Sequence, residues 1–479
     1  MVCTYAHRRI LAWGEIIGEY EYVLDDFVYQ HRRAVVWRSL ESFSVDRLSK
    51  SLAQKLQKNT TILQLTNAEF AEISAQNDAT VIVPFPSITV DRWVENLSDA
   101  DLSVSRWQVA TFVTALQAKG FVILSGISGT GKTKLVLHFA AMLPKPSDES
   151  SNHLFLSVRP DWRDSKALLG YFNPLTEAYA WTPFLRFLER AARSYAAGDG
   201  LAWFVVLDEM NLAHVEYYFA DMLSVMESGR DDEGWTREAL VLVYPETAEG
   251  DVPPRELRLP PNLYVVGTVN VDETTHAFSP KVLDRAFSIE LVDVDFSDYP
   301  PATTGDAPEL SDAERQALLA AFTRNGRFPR IDKAEIAGYI GEHPEVRDWL
   351  QALNTLLHRD TLHFGYRVFD EIVTFLAVAE ENGMFAELGA EAAFDAAVLM
   401  KVLPKFHGSR GKLQRPLEAL LAWCLNPDEP QPIVPLPQAG VGADPLASFQ
   451  PLPYVLPKTA ERVQRMLAEL QTDGFTAFG

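Results

Sequence analysis

The feature that most constrains the fold is an eight-residue stretch, GISGTGKT at residues 126–133, which matches the pattern GxxxxGK[ST]. The apolar run FVILS precedes it and the amphipathic run TKLVLHFAAML overlaps its end, so the glycines lie between a predicted strand and a predicted helix. Glycine lets backbone N–H groups close around phosphate oxygens, and the start of a helix adds a favourable dipole. The stretch therefore predicts a phosphate-binding loop for a nucleotide. Its predicted binding residues are Gly126, Ser128, Gly129, Thr130, Gly131, Lys132 and Thr133.

Two carboxylates follow a second apolar run, WFVVLDE at residues 203–209. Parallel sheets bind their ligands at the carboxyl ends of their strands, where Asp208 and Glu209 would lie. In a phosphoryl-transfer site, Lys132 would reach the β- and γ-phosphates, while Thr133 and Asp208 would hold Mg²⁺. Glu209 would polarise the attacking water. The alternative for the two acids is an ordinary strand end with solvated side chains.

Two further polar residues follow in the same order along the chain. Asn270 ends the apolar run VVGTVN, where it could hydrogen-bond a γ-phosphate or the attacking water, although a strand-ending Asn is often only a turn former. Arg285, in the stretch FSPKVLDRAF, lies just before a predicted core strand. From there it could reach across a subunit boundary and stabilise charge on a neighbour's nucleotide. Its alternative is a surface ion pair with Asp284 or another acid.

Strands alternate with helices from residue 105 to residue 299, and this pattern predicts an α/β domain with a parallel sheet. The chain becomes mostly helical after residue 300, which predicts a helical lid. The predicted domains are a small β-rich region at 1–75, a linker at 76–104, an α/β nucleotide-binding core at 105–299, the lid at 300–425, and a proline-rich segment with a final helix at 426–479.

The four motifs, in this order, resemble those of the AAA+ ATPases of the dynein-related and MoxR-like clade, and within it the McrB-like family. That family supplies the NTP-driven motor subunits of modification-dependent restriction systems. The likeness covers about residues 105–425 and rests on GISGTGKT, LDEMNLAHVEYYF and GTVN…SPKVLDRAF. It implies an AAA+ P-loop domain with a helical lid. It assigns nucleotide binding to the phosphate loop, Mg²⁺ and water to Asp208 and Glu209, a sensor role to Asn270, and action in trans to Arg285.

The same resemblance implies a hexameric ring of this chain and a separate nuclease subunit. HFGYRVFDEIVTFL is similar to the lid helix that carries a second nucleotide sensor, with Arg367 as that residue; the alternative is an arginine on a helix face. GTP-using McrB proteins resemble one another in an MNTADRS-type stretch, whereas Asn270 is followed here by Val-Asp-Glu-Thr, with no arginine. We therefore expect ATP as the nucleotide, with GTP as the alternative.

Residues 1–75 resemble the second half of a PUA-like or EVE-type β-barrel, a module that flips a modified base into an aromatic pocket. The alternative is a packed β-platform whose aromatic residues form the core. The side chains with suitable chemistry are Tyr20, Tyr22, Arg32, Arg33 and Trp37.

Three other segments have two readings each. Inserts at 163–183 and 229–260 match the positions at which this clade places pore-facing hairpins, and surface decoration is the alternative. The run from Lys401 to Arg415 has five basic residues and no acid. It could contact nucleotide, a partner or DNA phosphate, or simply form a solvated face.

Charge and composition limit the remaining functions. The chain has 43 Lys and Arg against 65 Asp and Glu, a net charge of −22, so DNA contact should be local or supplied by a partner. It shows no nuclease carboxylate cluster. With no long apolar run, no signal peptide and only two cysteines, we expect a cytoplasmic protein without a membrane partner. The alternative functions are a MoxR-like chaperone that remodels proteins and a nucleotide-gated scaffold.

Overall fold

The computed structural model divides the chain into two compact units, Met1–Ser87 and Ile88–Gly479. In the first unit it describes only the backbone of the strands between residues 2 and 44. In the second unit it describes residues 90–98, 102–146, 151–248, 250–271, 276, 278–292, 310–389, 391–428 and 453–478.

The described part of the first unit consists of short antiparallel strands. They are β1 (Val2–Ala6), β2 (Arg9–Ile16), β3 (Glu21–Tyr22), β4 (His31–Arg32), β5 (Val35–Ser39) and β6 (Phe43–Ser44). Strand β2 pairs with β1 and also with β5 and β6, while β3 pairs with β4. The side chains predicted to form a base-flipping pocket lie outside the described residues, so that role stays a prediction.

A five-stranded parallel sheet forms the centre of the second unit. Its strands are β7 (Phe121–Gly126), β8 (His153–Ser157), β11 (Trp203–Asp208), β14 (Leu263–Asn270) and β15 (Phe287–Glu290). They are ordered β15-β7-β14-β11-β8, and every pair in the sheet is parallel. The interior strands are covered on both faces, which is why their sequences are continuous apolar runs rather than alternating ones.

Helices surround the sheet and continue into the lid. They are α1 (Val90–Ser98), α2 (Arg106–Lys119), α3 (Lys132–Met142), α4 (Lys166–Leu169), α5 (Pro183–Ala197), α6 (Val215–Tyr218), α7 (Ala220–Glu227), α8 (Pro280–Leu283), α9 (Asp312–Phe322), α10 (Lys333–Glu342), α11 (Pro344–His358), α12 (Tyr366–Asn382), α13 (Ala392–Lys401), α14 (Arg410–Leu425) and α15 (Pro457–Thr472). This sheet with its helices and lid confirms the predicted fold class, an α/β P-loop domain with a parallel sheet and a helical lid.

Local sequence signals explain where helix α2 begins and ends. Ser105 caps its start, because the Ser105 Oγ accepts from the Gln108 backbone N–H at 3.2 Å and the Gln108 side chain accepts from the Ser105 N–H at 2.9 Å. The helix ends at Gly120, whose φ of 76° is readily adopted by glycine. Strand β7 follows immediately, so the end of α2 fixes where the strand that leads to the phosphate loop begins.

The core between sheet and helices is aromatic. Phe139 of α3 is fully buried, and its ring contacts Trp93 at 4.9 Å and Phe322 at 5.0 Å between centroids. It also meets Phe112 of α2 and Phe204 of β11 edge-on. The helix that follows the phosphate loop is therefore packed into the core through its third turn.

Both inserts contain a hairpin, and the two hairpins contact each other. Strands β9 (Tyr171–Asn173) and β10 (Ala178–Ala180) form the first, and strands β12 (Leu240–Val241) and β13 (Glu256–Leu257) form the second. The rings of Tyr179 and Tyr244 meet edge-on with centroids 5.8 Å apart. The Trp181 indole N–H donates to the Asp251 carbonyl at 2.8 Å. The predicted pore-facing role remains a prediction.

The lid is attached to the core by its long helix α12, which packs against α2. The Asn382 side-chain amide donates to Thr114 Oγ1 at 2.9 Å and to the Gln117 side-chain oxygen at 2.8 Å. Gln117 in turn donates to the Ala321 carbonyl at 2.9 Å. These polar contacts connect α12, α2 and α9 in addition to their apolar packing.

Helix α15 packs against α13 and α14 of the lid. The buried Asp395 carboxylate accepts from the backbone N–H groups of Lys458 and Thr459, at 2.7 and 2.8 Å, and so caps the start of α15 from another helix. Strand β16 (His407–Ser409) pairs with β17 (Phe475–Ala477). In the described parts of the chain, no helix combines the length and apolar character that a membrane span requires.

Candidate nucleotide-binding site

The phosphate loop begins where buried strand β7 ends. Gly126 has a φ of 158°, and a Cβ at this position would clash with the Leu291 carbonyl. Gly131 has a φ of 81°, and a Cβ there would lie 2.8 Å from the Leu102 side chain. Both positions therefore need glycine, one for close approach and both for backbone conformation. Between them, residues 127–129 are exposed, so the loop is open to a ligand.

Lys132 places its ammonium inside the curve of this loop. Its side chain is only 5% exposed, and its Nζ donates to the carbonyls of Gly126 at 2.9 Å and Ile127 at 2.6 Å. Helix α3 starts at the same residue, and its N-cap is Gly131, which has no side chain to cap the first turn. The helix N-terminus and the ammonium thus point positive charge at one concave stretch of backbone, as a phosphate chain requires.

Thr133 and Asp208 come together from two different elements. The Thr133 hydroxyl donates to Asp208 Oδ1 at 2.5 Å, so the first turn of α3 meets the end of β11. Thr268 of β14 donates to the same carboxylate oxygen at 2.8 Å. A hydroxyl and a carboxylate are oxygen donors of the kind that Mg²⁺ prefers. The pair therefore fits the predicted metal role of Thr133 and Asp208.

Glu209 sits in an unusual backbone conformation next to this pair. Its φ is 52°, in the left-handed region that non-glycine residues seldom adopt. The Glu209 N–H donates to Thr268 Oγ1 at 3.1 Å, and the Asn270 side-chain amide contacts Glu209 Oε1 at 3.5 Å, at the long end of a hydrogen bond. Strained conformations of this sort concentrate at functional sites.

The turn after Glu209 is held by buried packing. Met210 is fully buried, and its carbonyl accepts from the Tyr218 hydroxyl at 2.9 Å. A Cβ on Gly267 of β14 would clash with the Met210 side chain, so glycine at that position makes room for the turn. Burial raises the pKa of Tyr218 far above its ordinary value, which keeps the phenol protonated and able to donate.

Thr268 is the site residue that sequence analysis missed. It bridges Asp208 and Glu209, and it belongs to the same strand as Asn270. The available signal was the two-residue period of a strand, which puts residues 268 and 270 on one face. Recognising it also required the pairing of β14 with β11, which brings residue 267 opposite residue 207.

The two predicted arginines form a second cluster, around Glu227 at the end of α7. Arg285 forms an ion pair with one carboxylate oxygen of Glu227, and Arg367 forms an ion pair with the other. Arg367 also lies 3.5 Å from Asp284, whose other oxygen is 3.0 Å from the Lys405 ammonium. Burial lowers the pKa of Arg285 from its usual value, and Asp284 partly opposes this. Arg367 and Arg285 thus lie in one cluster, because both form ion pairs with Glu227.

The two clusters lie toward opposite ends of the parallel strands. Phe287, two residues after Arg285, pairs with Val122 near the start of β7. Gly126, where the phosphate loop begins, ends the same strand four residues further on. At about 3.3 Å per residue, Phe287 and Gly126 are therefore separated by about 13 Å along the sheet. Arg285 precedes Phe287 and so lies on the side away from its own phosphate loop.

The basic run from Lys401 to Arg415 divides into two parts. Lys401 and Lys405 are engaged within the chain, which corrects the interpretation of them as a surface for ligands or solvent, whereas Arg410, Lys412 and Arg415 are exposed. The Lys401 side chain is fully buried between Glu371 and two backbone carbonyls. Lys405 pairs with Asp284 at 3.0 Å, and Arg415 pairs with Asp360 at 2.8 Å. These contacts join residues far apart in sequence, which is why the run itself did not reveal them.

Comparisons with known proteins found one curated relative and solved structures with distant similarity. The chain is 21% identical over 226 residues to the type IV methyl-directed restriction enzyme EcoKMcrB subunit of Escherichia coli (strain K12), covering 44% of this chain and 43% of that subunit. The chain thus spans less than half the length of this relative. A solved structure of a proposed ATPase from Cytophaga hutchinsonii ATCC 33406 covers 66% of this chain and 86% of that one, with 13% identity and a TM-score of 0.40.

A family model described as a domain of unknown function, DUF8727, matches residues 327–475. That span contains lid helices α10 to α14 together with α15, which pack against one another in the structure. The parallel sheet, the phosphate loop and the converging carboxylates are the features on which the resemblance to the AAA+ ATPases rests. The sequence similarity that the comparisons add is to the McrB subunit.

Proposed function

We propose that this chain hydrolyses ATP with Mg²⁺, and that it is the ring-forming motor of a McrB-like restriction or anti-phage system that works with a separate nuclease. One observation carries the proposal. Thr133, Asp208, Thr268, Glu209 and Asn270 form one connected set of polar contacts beside the phosphate loop. They come from α3, β11 and β14, so the fold brings together the side chains that we propose as a metal-binding pair, a base and a sensor.

We propose a role for each of these residues. The loop N–H groups and Lys132 hold the phosphates, and Thr133 and Asp208 supply the oxygen atoms for the metal. Bound Mg²⁺ would neutralise charge on the phosphate oxygens. Glu209 accepts hydrogen bonds from water and orients it for attack, while Asn270 restrains the Glu209 carboxylate and reports the state of the γ-phosphate.

Self-assembly is supported by the position of Arg285. It lies on the side of the sheet away from its own phosphate loop, so its natural target is the nucleotide of a neighbouring protomer. Arg367 shares Glu227 with it, and we propose that the two arginines act on that same nucleotide. In a ring, the neighbour's phosphates would compete with Glu227 for both side chains. An arginine that stabilises transition-state charge is worth roughly 10³–10⁵ in rate.

Three parts of the proposal rest on sequence. The stretch after Asn270 favours ATP over GTP, and residues 272–275 of that stretch lie outside the described part of the chain. The net charge of −22 favours DNA contact that is local or made through a partner. The similarity to the McrB subunit favours a separate nuclease. The hexameric ring and the domain limits at 75, 104, 299 and 425 belong to the same proposal.

Turnover by variants of purified protein tests the site. We expect Lys132→Ala to lose nucleotide binding, because the phosphates lose their cation. Glu209→Gln should bind ATP yet release phosphate at least about 100-fold more slowly, because the water loses its base. Glu216→Gln, in the nearby helix α6, is the matched control and should keep the wild-type rate. A Glu209→Gln rate equal to wild type would refute the proposed role of Glu209.

The partner is tested separately, by phosphate release with added DNA, with and without methylated bases. Stimulation by DNA supports the restriction role. Stimulation by an unfolded protein, with no response to DNA, would instead favour the remodelling of proteins by a MoxR-like chaperone.

A further inference from the structure

Three charged side chains meet inside the second unit, where core and lid join. Glu371 of α12 lies between Lys119, at the end of α2, and Lys401, at the end of α13. Glu371 forms an ion pair with Lys119 through one oxygen and lies 2.6 Å from the Lys401 ammonium through the other. Glu371 is 3% exposed and the Lys401 side chain is fully buried. None of the three has a role in the proposed reaction.

Lys401 makes two further contacts, both with the segment that carries Arg285. Its ammonium donates to the Asp284 carbonyl at 3.0 Å and to the Ala286 carbonyl at 2.9 Å. These carbonyls flank Arg285 on both sides. An ammonium has three donor hydrogens, and Lys401 therefore has one for each of these carbonyls and one for Glu371. Lys405, one turn later, holds the Asp284 side chain.

We propose that Lys401 is a positioning residue for Arg285: it fixes the backbone on both sides of the arginine and connects it, through Glu371, to lid helix α12. The inference rests on the proposed trans action of Arg285. It adds regulation to that site, because a change in the lid of one protomer shifts the arginine presented to the next protomer's nucleotide.

The charges of Glu371 and Lys401 favour a rigid connection between α12 and the segment that carries Arg285. Burial acts to raise the pKa of Glu371, and the ammonium groups of Lys119 and Lys401 outweigh it and hold that pKa at about 2. Burial lowers the pKa of Lys401 to about 8, with Glu371 opposing the shift, so Lys401 stays protonated at neutral pH. A buried charge with partners in fixed positions resists displacement, since moving any one partner leaves the others uncompensated.

The test uses mixed rings, in which one subunit supplies the arginine and another supplies the nucleotide site. Arg285→Ala has a site but no arginine, and Lys132→Ala has the arginine but no site. At equal mixing, about one quarter of all sites pair an intact pocket with an intact arginine, so phosphate release should recover to about that fraction of wild type from a loss of roughly 10³-fold or more. The critical donor is the double variant Lys132→Ala/Lys401→Met.

We expect this donor to rescue Arg285→Ala at least about tenfold less than Lys132→Ala does. Conversely, Lys401→Met alone should turn over slowly but recover when mixed with Lys132→Ala, because its own pocket is intact. The matched control is Lys132→Ala/Lys119→Met. It removes the other lysine of Glu371, whose ammonium forms its ion pair with Glu371 rather than with the backbone that flanks Arg285, and it should rescue as Lys132→Ala does.

Equal rescue by the Lys132→Ala/Lys401→Met and Lys132→Ala donors would overturn the inference. An equal loss of rescue with the Lys132→Ala/Lys119→Met donor would also overturn it, because the three charged residues would then have only a structural role. If Lys132→Ala itself fails to rescue, the proposed trans arginine is wrong, and the inference falls with it. Should Lys401→Met unfold, Lys401→Gln replaces it as a donor, since its shorter side chain cannot reach both carbonyls and the same loss is expected.

Discussion

Replacing Glu371 by Gln tests the contribution of a buried charge to stability. Lys119 and Lys401 hold the Glu371 pKa at about 2, against its ordinary value of 4.5. Each pKa unit corresponds to about 1.4 kcal/mol, so ionised Glu371 contributes about 3 kcal/mol to the free energy of unfolding near neutral pH. Independently, substitutions that remove one partner of a buried ion pair lower protein stability by about 3–5 kcal/mol. The two magnitudes agree, and we expect Glu371→Gln to lower stability by about this amount.

The same reasoning predicts how the difference depends on pH. The folded pKa of Glu371 lies below its unfolded value, so its contribution is fully present above about pH 4.5. It is lost as the pH falls from there toward 2, because the unfolded chain then binds the proton first. The gap between wild type and Glu371→Gln should therefore be constant from pH 5 to 7 and shrink in acid. Urea unfolding followed by tryptophan fluorescence measures it, since Trp93 and Trp423 are fully buried in this unit.

Glu380→Gln is the control, because Glu380 lies on the same helix α12 but is largely exposed in its pair with His343. Exposed pairs of this kind are worth about 0–1 kcal/mol. The triple variant Lys119→Met/Glu371→Leu/Lys401→Met removes all three charges together. It should recover most of the stability, because no charge is left uncompensated. A loss below about 1 kcal/mol for Glu371→Gln, with an unchanged slope against urea, would refute the reasoning.

Three further predictions concern the site, the lid and the nucleotide. Thr268→Val removes the hydroxyl that joins Asp208 to the Glu209 backbone, so kcat should fall about 10- to 100-fold with little change in ATP affinity. Thr268→Ser should keep most of the rate, and equal kcat values for the Val and Ser variants would contradict this. Asp395→Ala leaves the start of α15 uncapped and should lower the free energy of unfolding by about 2–3 kcal/mol in urea, with Asp395→Asn losing less because it keeps one acceptor oxygen. Competition titration should show tighter binding of ATP than of GTP, and a clear GTP preference would contradict our reading of the stretch after Asn270.

The phosphate loop could be predicted from sequence because its chemistry is local. Lys132 and Thr133 are neighbours of the glycines that shape the loop, and strand, turn and helix follow without interruption. The carboxylates at 208 and 209 and the amide at 270 were also accessible, since each ends an apolar run. The structure places these three side chains in one connected set, while their roles in turnover remain proposals.

The arginines could not be placed in the same way. Arg285 and Arg367 are 82 positions apart, and Glu227 precedes the first of them by 58, so no local pattern indicates that one carboxylate pairs with both. The burial of Lys401, at the start of the basic run, could not be predicted for a related reason. A charged residue near the end of a helix is usually solvated, but Lys401 faces the sheet, where Glu371 and two carbonyls replace water.

By itself, the sequence determined which segments are strands and helices of an α/β domain and which short loop has the glycine pattern of a phosphate-binding loop. Those properties depend on the spacing of apolar residues and on glycine at fixed positions, and both can be identified from consecutive residues. Only the tertiary structure decided which distant side chains meet. Strand register brings Thr268 to Asp208 and Glu209, and the packing of α12 and α13 on the core encloses Lys401. Such contacts depend on how whole elements dock, and docking is set by the summed burial of many residues rather than by any one motif.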